Sequence, residues 1–126
     1  ERERLFQLPR SSWEDYDRTL ISHGGDVFSR SAKLLKLTPE IQELLGISEA
    51  ALKPSELINA LLKAPVDLIW NGGIGSYVKA AGEGHQEVGD RANDAVRVDG
   101  RELRCRVSIT PEVWTALTMR SISKFC

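Results

Sequence analysis

The sequence predicts an α/β layer architecture, and three consecutive features carry that prediction. Pro54-Ser55-Glu56 opens a helix whose Leu57, Ile58, Leu61 and Leu62 form one apolar stripe, closed by Ala64-Pro65. Val66-Asp67-Leu68-Ile69-Trp70 follows as a nearly continuous apolar run, the pattern of a strand covered on both faces in a parallel sheet. It leads straight into the glycine turn Asn71-Gly72-Gly73-Ile74-Gly75-Ser76-Tyr77. Helix, strand and glycine turn in succession are the parts of a sheet flanked by helices.

The rest of the chain falls into place around this centre. Residues 1–37 read as a polar connecting segment with a short helix. Leu5-Phe6-Gln7-Leu8 is an apolar patch stopped by Pro9, and Ser11 or Ser12 caps a helix over 13–20 with Glu14 and Asp15 in its first turn. Gly24-Gly25 breaks that helix, and Val27-Phe28-Ser29-Arg30 reads as a brief extended piece. Residues 38–107 hold the organised part. Thr38-Pro39-Glu40 is a helix start with Thr as cap and Pro at the first position; Ile41, Leu44 and Leu45 supply the apolar face, and Gly46 the stop. Beyond the glycine turn, residues 80–86 read as a surface loop and 88–92 as one helical turn. Val96-Arg97-Val98 and 103–107 both alternate around Asp99-Gly100, which predicts a hairpin or strand pair. In the tail, 108–126, Thr110-Pro111-Glu112 repeats the helix-start signature ahead of Val113, Trp114 and Leu117.

Composition narrows the function classes. The chain has 126 residues, room for one domain rather than two, and its 41% apolar content is enough to feed a core. Seventeen basic against eighteen acidic side chains leave a net charge of −1, without the basic excess that nucleic-acid phosphates require. No apolar run nears the roughly 20 residues that cross a bilayer, so no membrane partner is expected. Two cysteines, Cys105 and Cys126, make neither a disulfide framework nor a Cys-x-x-Cys metal pair, which fits a reducing compartment. The first residue is not Met, which suggests a piece of a longer chain.

The candidate chemistry concentrates at the glycine turn. In open α/β sheets ligands sit beyond the carboxyl ends of the strands, where glycines let backbone N–H groups approach a phosphate or ribose. Asn71 adds a side-chain amide that both donates and accepts. The plainer account is a tight turn that needs positive φ. Gly73-x-Gly75 mimics the first two glycines of a dinucleotide fingerprint, with Asp94 near the place of its ribose acid, but the third glycine and the apolar helix behind it are missing. Gly89-Asp90-Arg91-Ala92-Asn93-Asp94 brings two carboxylates four residues apart; such runs serve acid–base chemistry less often than they cap adjacent turns. His23 and His85 have no ligand-spaced partners, and Ser11, Ser12 and Ser76 no readable His/Asp arrangement. The tryptophans Trp13, Trp70 and Trp114 read as core or interface packing.

Four stretches resemble one family in order. They are Leu8-Pro9-Arg10-Ser11-Ser12-Trp13-Glu14-Asp15-Tyr16-Asp17, Val27-Phe28-Ser29-Arg30-Ser31-Ala32-Lys33, the long run from Ala64-Pro65-Val66 through Asn71-Gly72-Gly73-Ile74-Gly75-Ser76 to Lys79-Ala80, and Val88-Gly89-Asp90-Arg91-Ala92-Asn93-Asp94-Ala95-Val96-Arg97-Val98-Asp99-Gly100. They carry a resemblance, extending over most of residues 5–107, to the large bacterial NAD-specific glutamate dehydrogenases. The resemblance implies a partial Rossmann-like (doubly wound) dinucleotide-binding domain, incomplete at both ends, in which 38–107 supply helix, helix, strand, glycine turn and strand pair. It implies NAD as cofactor, L-glutamate and 2-oxoglutarate as substrates, and a cytoplasmic, homo-oligomeric full-length enzyme. The cofactor-binding residues it implies are Asn71, Gly72, Gly73 and Gly75, near the nicotinamide ribose. The phosphate turn, the ribose acid, and the catalytic lysine and aspartate of that family lie upstream of the matched segment, so no catalytic residue is assigned here.

Where the family continues after Val107 into a glycine-rich cofactor segment, this chain reads Ser108-Ile109-Thr110-Pro111-Glu112-Val113-Trp114-Thr115-Ala116, a divergence that a reading-frame slip would produce. Taken alone, the chain is expected to lack dehydrogenase activity and to bind NAD very weakly. The alternative reading is a non-catalytic helical module in which the helix pair over 38–64 binds a protein partner.

Overall fold

A computed structural model describes residues 1–73 and 75–109. The chain divides into two compact units, Glu1–Pro54 and Ser55–Cys126.

In the first unit, helix α1 (Arg2–Gln7) forms where the sequence suggested only an apolar patch. It buries Leu5 and ends when Leu8 turns extended, the conformation a residue before proline prefers. The single helix expected over 13–20 is instead two 3-10 turns, Trp13–Asp15 and Arg18–Leu20. The reason is local. Ser12 and Asp15 close a reciprocal capping box, and Asp17 then caps afresh by accepting the Thr19 amide at 2.9 Å, so each turn is sealed before the next begins. No strand forms over 27–30.

Helix α2 (Pro39–Leu45) follows the sequence closely. The Thr38 hydroxyl accepts the Ile41 amide at 3.3 Å and donates to the Gly24 carbonyl at 2.6 Å. Gly46 stops the helix at φ +68°, a left-handed value suited to glycine, and Leu45 is 1% exposed. On either side of α2, strands β1 (Leu35–Lys36) and β2 (Ala51–Leu52) pair antiparallel. Leu5, Leu35, Leu37 and Leu45 are this unit's buried apolar side chains.

Helix α3 (Pro54–Leu62) starts at the boundary and leads into the second unit, with Leu57 buried. Two small parallel sheets follow. Strand β3 (Leu68–Trp70) pairs with β6 (Val107–Ile109), and β4 (Val78–Lys79) with β5 (Val98–Asp99). Between the paired strands stand helix α4 (His85–Val88) and 3-10 turns at Arg91–Asn93 and Gly100–Glu102. Mixed helices and small parallel sheets fit the α/β class.

Two expectations are corrected here. The hairpin around Asp99-Gly100 does not form: the Glu102 carboxylate accepts the Asp99 amide at 2.9 Å, and residues 100–102 coil into a 3-10 turn. The two alternating segments therefore go to different sheets, each beside a strand from earlier in the unit. Residues 66–70 do enter a parallel pair, but one face of it is uncovered. Register aligns Leu68 with Val107 and Trp70 with Ile109, and these four are 48%, 53%, 70% and 42% exposed. Trp70 and Trp13 are thus surface residues, not core. The helix predicted behind Thr110 lies outside the described residues.

Candidate functional site

The glycine turn leaves β3 and is anchored at both ends. At the near end the Asn71 amide donates to the Ile109 carbonyl at 2.8 Å, which extends the β3–β6 ladder by one bond. The Asn71 Oδ1 accepts the Gly73 amide at 3.3 Å, a small Asx-type turn. The other side of that carboxamide, Nδ2, is buried and has no hydrogen-bond partner among the described residues. A buried donor left without an acceptor costs about 1–3 kcal/mol.

The glycines divide into two kinds. Gly75 sits at φ +136°, and a Cβ there would lie 2.5 Å from Asn93 Nδ2 and 2.9 Å from Tyr77 Cε2. Backbone conformation and packing alone explain that glycine. Gly72 and Gly73 are different. Neither has positive φ; among the described residues a Cβ on Gly72 would meet nothing within 4 Å, and one on Gly73 only Asn71 Oδ1 at 3.9 Å. Both are exposed, and nothing within the described residues demands that they lack side chains.

The far end of the turn is held by residues that sequence reasoning did not single out together. The Ser76 amide donates to Asp90 Oδ2 at 2.7 Å, and the same oxygen accepts Asn93 Nδ2 at 2.7 Å. The Ser76 carbonyl accepts Arg97 Nε at 2.6 Å. Arg97 has no exposed side-chain surface. Its remaining N–H groups reach the Asp90 carbonyl at 2.5 Å, Asp94 Oδ1 at 2.5 Å and His85 Nδ1 at 2.8 Å. A buried guanidinium is tolerated only when its fork is filled in this way. The Asn93 and Ser76 donors, with the Arg97 charge, hold the Asp90 carboxyl below its ordinary value.

Asp90 and Asp94 are therefore engaged in holding backbone and Arg97, not poised as an acid–base pair. His23 faces Glu40 Oε1 at 3.2 Å, and His85 faces Arg97. The signal for Arg97 was present in the sequence: Asp90, Asn93 and Asp94 lie seven, four and three residues ahead of it. The alternation of Val96-Arg97-Val98 hid it, since all three are in fact buried. Nearby, Lys79 pairs with Asp99, and Lys63 with Glu102 at 2.6 Å. Each lysine lowers its partner's carboxyl pKa.

Fold and turn together define a segment of an α/β protein with an exposed glycine loop at the carboxyl end of a parallel strand. The model of the bacterial NAD-glutamate dehydrogenase catalytic domain matches residues 1–117, and the chain belongs to that family. It is 64% identical over 107 residues to the NAD-specific glutamate dehydrogenase of Pseudomonas aeruginosa and 61% identical over 107 residues to that of Halomonas elongata. To the Mycobacterium tuberculosis protein of the same name it is 52% identical over 113 residues. Each match covers 85% of this chain but only 7% of the relative. The chain thus spans a small part of the length of the relatives it matches. No helix among the described residues is long and apolar enough to cross a membrane.

Proposed function

We propose that this segment forms part of the cofactor cleft of an NAD-dependent glutamate dehydrogenase, which oxidatively deaminates L-glutamate to 2-oxoglutarate and ammonia. In this reading β3 and β6 are strands of a Rossmann-like sheet, and the loop after β3 lies at their carboxyl ends, where such sheets bind ligands. The observation that carries the reading is the character of Gly72 and Gly73. They are side-chain-free where neither backbone conformation nor any described neighbour requires it. Room kept bare on the outer side of a turn suits close approach of a ligand to peptide groups.

Asn71 supports the same assignment through its Nδ2, which has no partner among the described residues and can donate to an acceptor such as a ribose hydroxyl or carboxamide oxygen. Asn71, Gly72 and Gly73 are the residues we place against the cofactor; Gly75 provides the bend behind them. NAD, when bound, supplies the hydride acceptor, and the protein supplies position and surroundings. The role of these residues is to orient the cofactor and narrow the space beside it. Proton transfer from the amino acid falls to residues outside this chain.

Gly73→Val in the full-length polypeptide carrying this segment tests the assignment. A Cβ at that position meets only Asn71 Oδ1, at 3.9 Å, among the described residues, and the melting temperature of the variant checks that folding is preserved. Its effect should appear as a rise of at least tenfold in KM for NAD, about 1.4 kcal/mol of lost binding. An unchanged KM for NAD, with turnover intact, would remove the glycine turn from the cofactor cleft. The helical-module reading has no comparable support, because the family match extends across the sheets and the turn as well as the helices.

A further inference from the structure

We propose that Asp90, Asn93 and Arg97 act as positioning residues for cofactor binding, by clamping the Ser76 peptide from both sides and so setting where the bare glycines stand. The inference rests on the assignment of Gly72 and Gly73 to the cofactor cleft and adds to it the residues that fix the loop.

Ser76 is unusual in having each of its main-chain groups held by a side chain from a later part of the unit. Its N–H goes to the Asp90 carboxylate and its carbonyl to the Arg97 guanidinium, over sequence separations of 14 and 21 residues. Neither bond is a sheet or helix bond, so those two side chains hold Ser76 in addition to the Val98–Tyr77 backbone bond that follows it. They in turn fix each other. Arg97 Nη2 donates to the Asp90 carbonyl at 2.5 Å, and Asn93 Nδ2 ties the Asp90 carboxylate at 2.7 Å. Asn93 also closes the inner side of Gly75, leaving no room there for a Cβ.

The opposite end of the loop is fixed by the Asn71–Ile109 backbone bond. Gly72 and Gly73 are exposed, and a Cβ on either would meet none of Asp90, Asn93 and Arg97 within 4 Å. Such an arrangement acts on affinity by preorganisation: a loop already held in place loses less freedom when a ligand docks. Charge-assisted bonds suit the task, being shorter and stronger than neutral ones. Loosening the clamp should therefore weaken NAD binding while leaving the chemical step, which belongs to other residues, close to its normal rate.

Steady-state kinetics on the full-length polypeptide separate the possibilities, using Asn93→Ala, Arg97→Lys and Asp90→Asn beside Gly73→Val. Asn93→Ala is the gentlest probe, since it removes one bond to Asp90 and leaves the buried charge paired. We expect KM for NAD to rise about three- to tenfold in Asn93→Ala and more in Arg97→Lys, which keeps the charge but not the fork. KM for glutamate and kcat should stay within about twofold. Asp90→Asn retains an oxygen that can accept from Ser76, so it should recover part of what a full deletion, Asp90→Ala, loses.

If Gly73→Val raises KM for NAD while Asn93→Ala and Arg97→Lys leave it unchanged, the clamp proposal is wrong and the cofactor assignment survives. If the clamp variants lower kcat, both affinities and melting temperature together, their role is structural and the proposal is also overturned. If Gly73→Val itself has no effect on NAD, the underlying assignment fails first.

Discussion

Replacing Gly75 by alanine should break the loop at a predictable place and by a predictable amount. The backbone there stands at φ +136°, where an L-residue is strained by roughly 1–3 kcal/mol. The new Cβ would also lie 2.5 Å from Asn93 Nδ2, so Asn93 must withdraw and its bond to the Asp90 carboxylate is lost. A hydrogen bond to a charged group contributes about 1.5–3 kcal/mol. Taking the low end of both gives about 2.5 kcal/mol, or roughly a sixtyfold shift toward the open loop at 1.4 kcal/mol per tenfold. The Ser76 amide reports that opening directly, because it donates to Asp90 Oδ2 at 2.7 Å. Its hydrogen-exchange rate in the 126-residue chain, read by NMR at fixed pH, should rise by about that factor. Gly73→Ala is the control, since its Cβ meets only Asn71 Oδ1 at 3.9 Å and should change Ser76 exchange less than about twofold. Equal, small effects from the two substitutions would refute the claim that the two glycines serve different ends.

Two further outcomes follow from the same structure. Asp90 has its carboxyl pKa lowered by Asn93, Ser76 and Arg97, so its contribution to stability is present above the unfolded value of ~3.9 and is lost as pH falls through the lower folded value. Carboxyl NMR of the chain should place the Asp90 midpoint below that of a free aspartate, with the Ser76 amide resonance moving at the same pH; a midpoint at or above the free value contradicts the clamp geometry. Trp70 is 70% exposed, so in a variant retaining only this tryptophan its emission should be red-shifted and readily quenched by iodide, and a blue, protected spectrum would show that the sheet face is covered.

How far the sequence reveals this molecule depends on the range of the forces involved. The helices α2 and α3 were legible because their signals are local. Thr38, Pro39 and Gly46 act within one or two turns, and the stripe from Leu57 to Leu62 needs only helical spacing. The short turns in the first unit were misread as one helix because two sets of caps compete over a few residues. Capping bonds of Ser12 with Asp15 and of Asp17 with Thr19 win over helical continuation. The parallel character of residues 66–70 was visible in their composition, but not the identity of the partner, which lies 39 residues away in register. Pairing at that distance leaves no mark on either strand alone.

The candidate site divides along the same line. Asn71, Gly72 and Gly73 stand out in the sequence as a glycine turn after an apolar strand, a pattern that a plain tight turn also produces. Gly75 belonged to the same motif, yet its reason is different, and only geometry separates a glycine that gives way to Asn93 from glycines that face open space. Arg97 was hidden most completely. Alternation assigns it to the outside of a strand, whereas the fold turns it inward because four acceptors, on His85, Asp90, Asp94 and Ser76, converge on its guanidinium. Without those acceptors, burying a charge there would cost several kcal/mol, and the alternating pattern would have prevailed. Arg97 and the glycine loop are thus a single construction: the buried charge gains its place by filling its fork, and one of the groups filling it is the Ser76 carbonyl that ends the turn. A chain that kept its glycines but replaced Arg97 would still carry the recognisable motif, and by this reasoning would hold it in the wrong place.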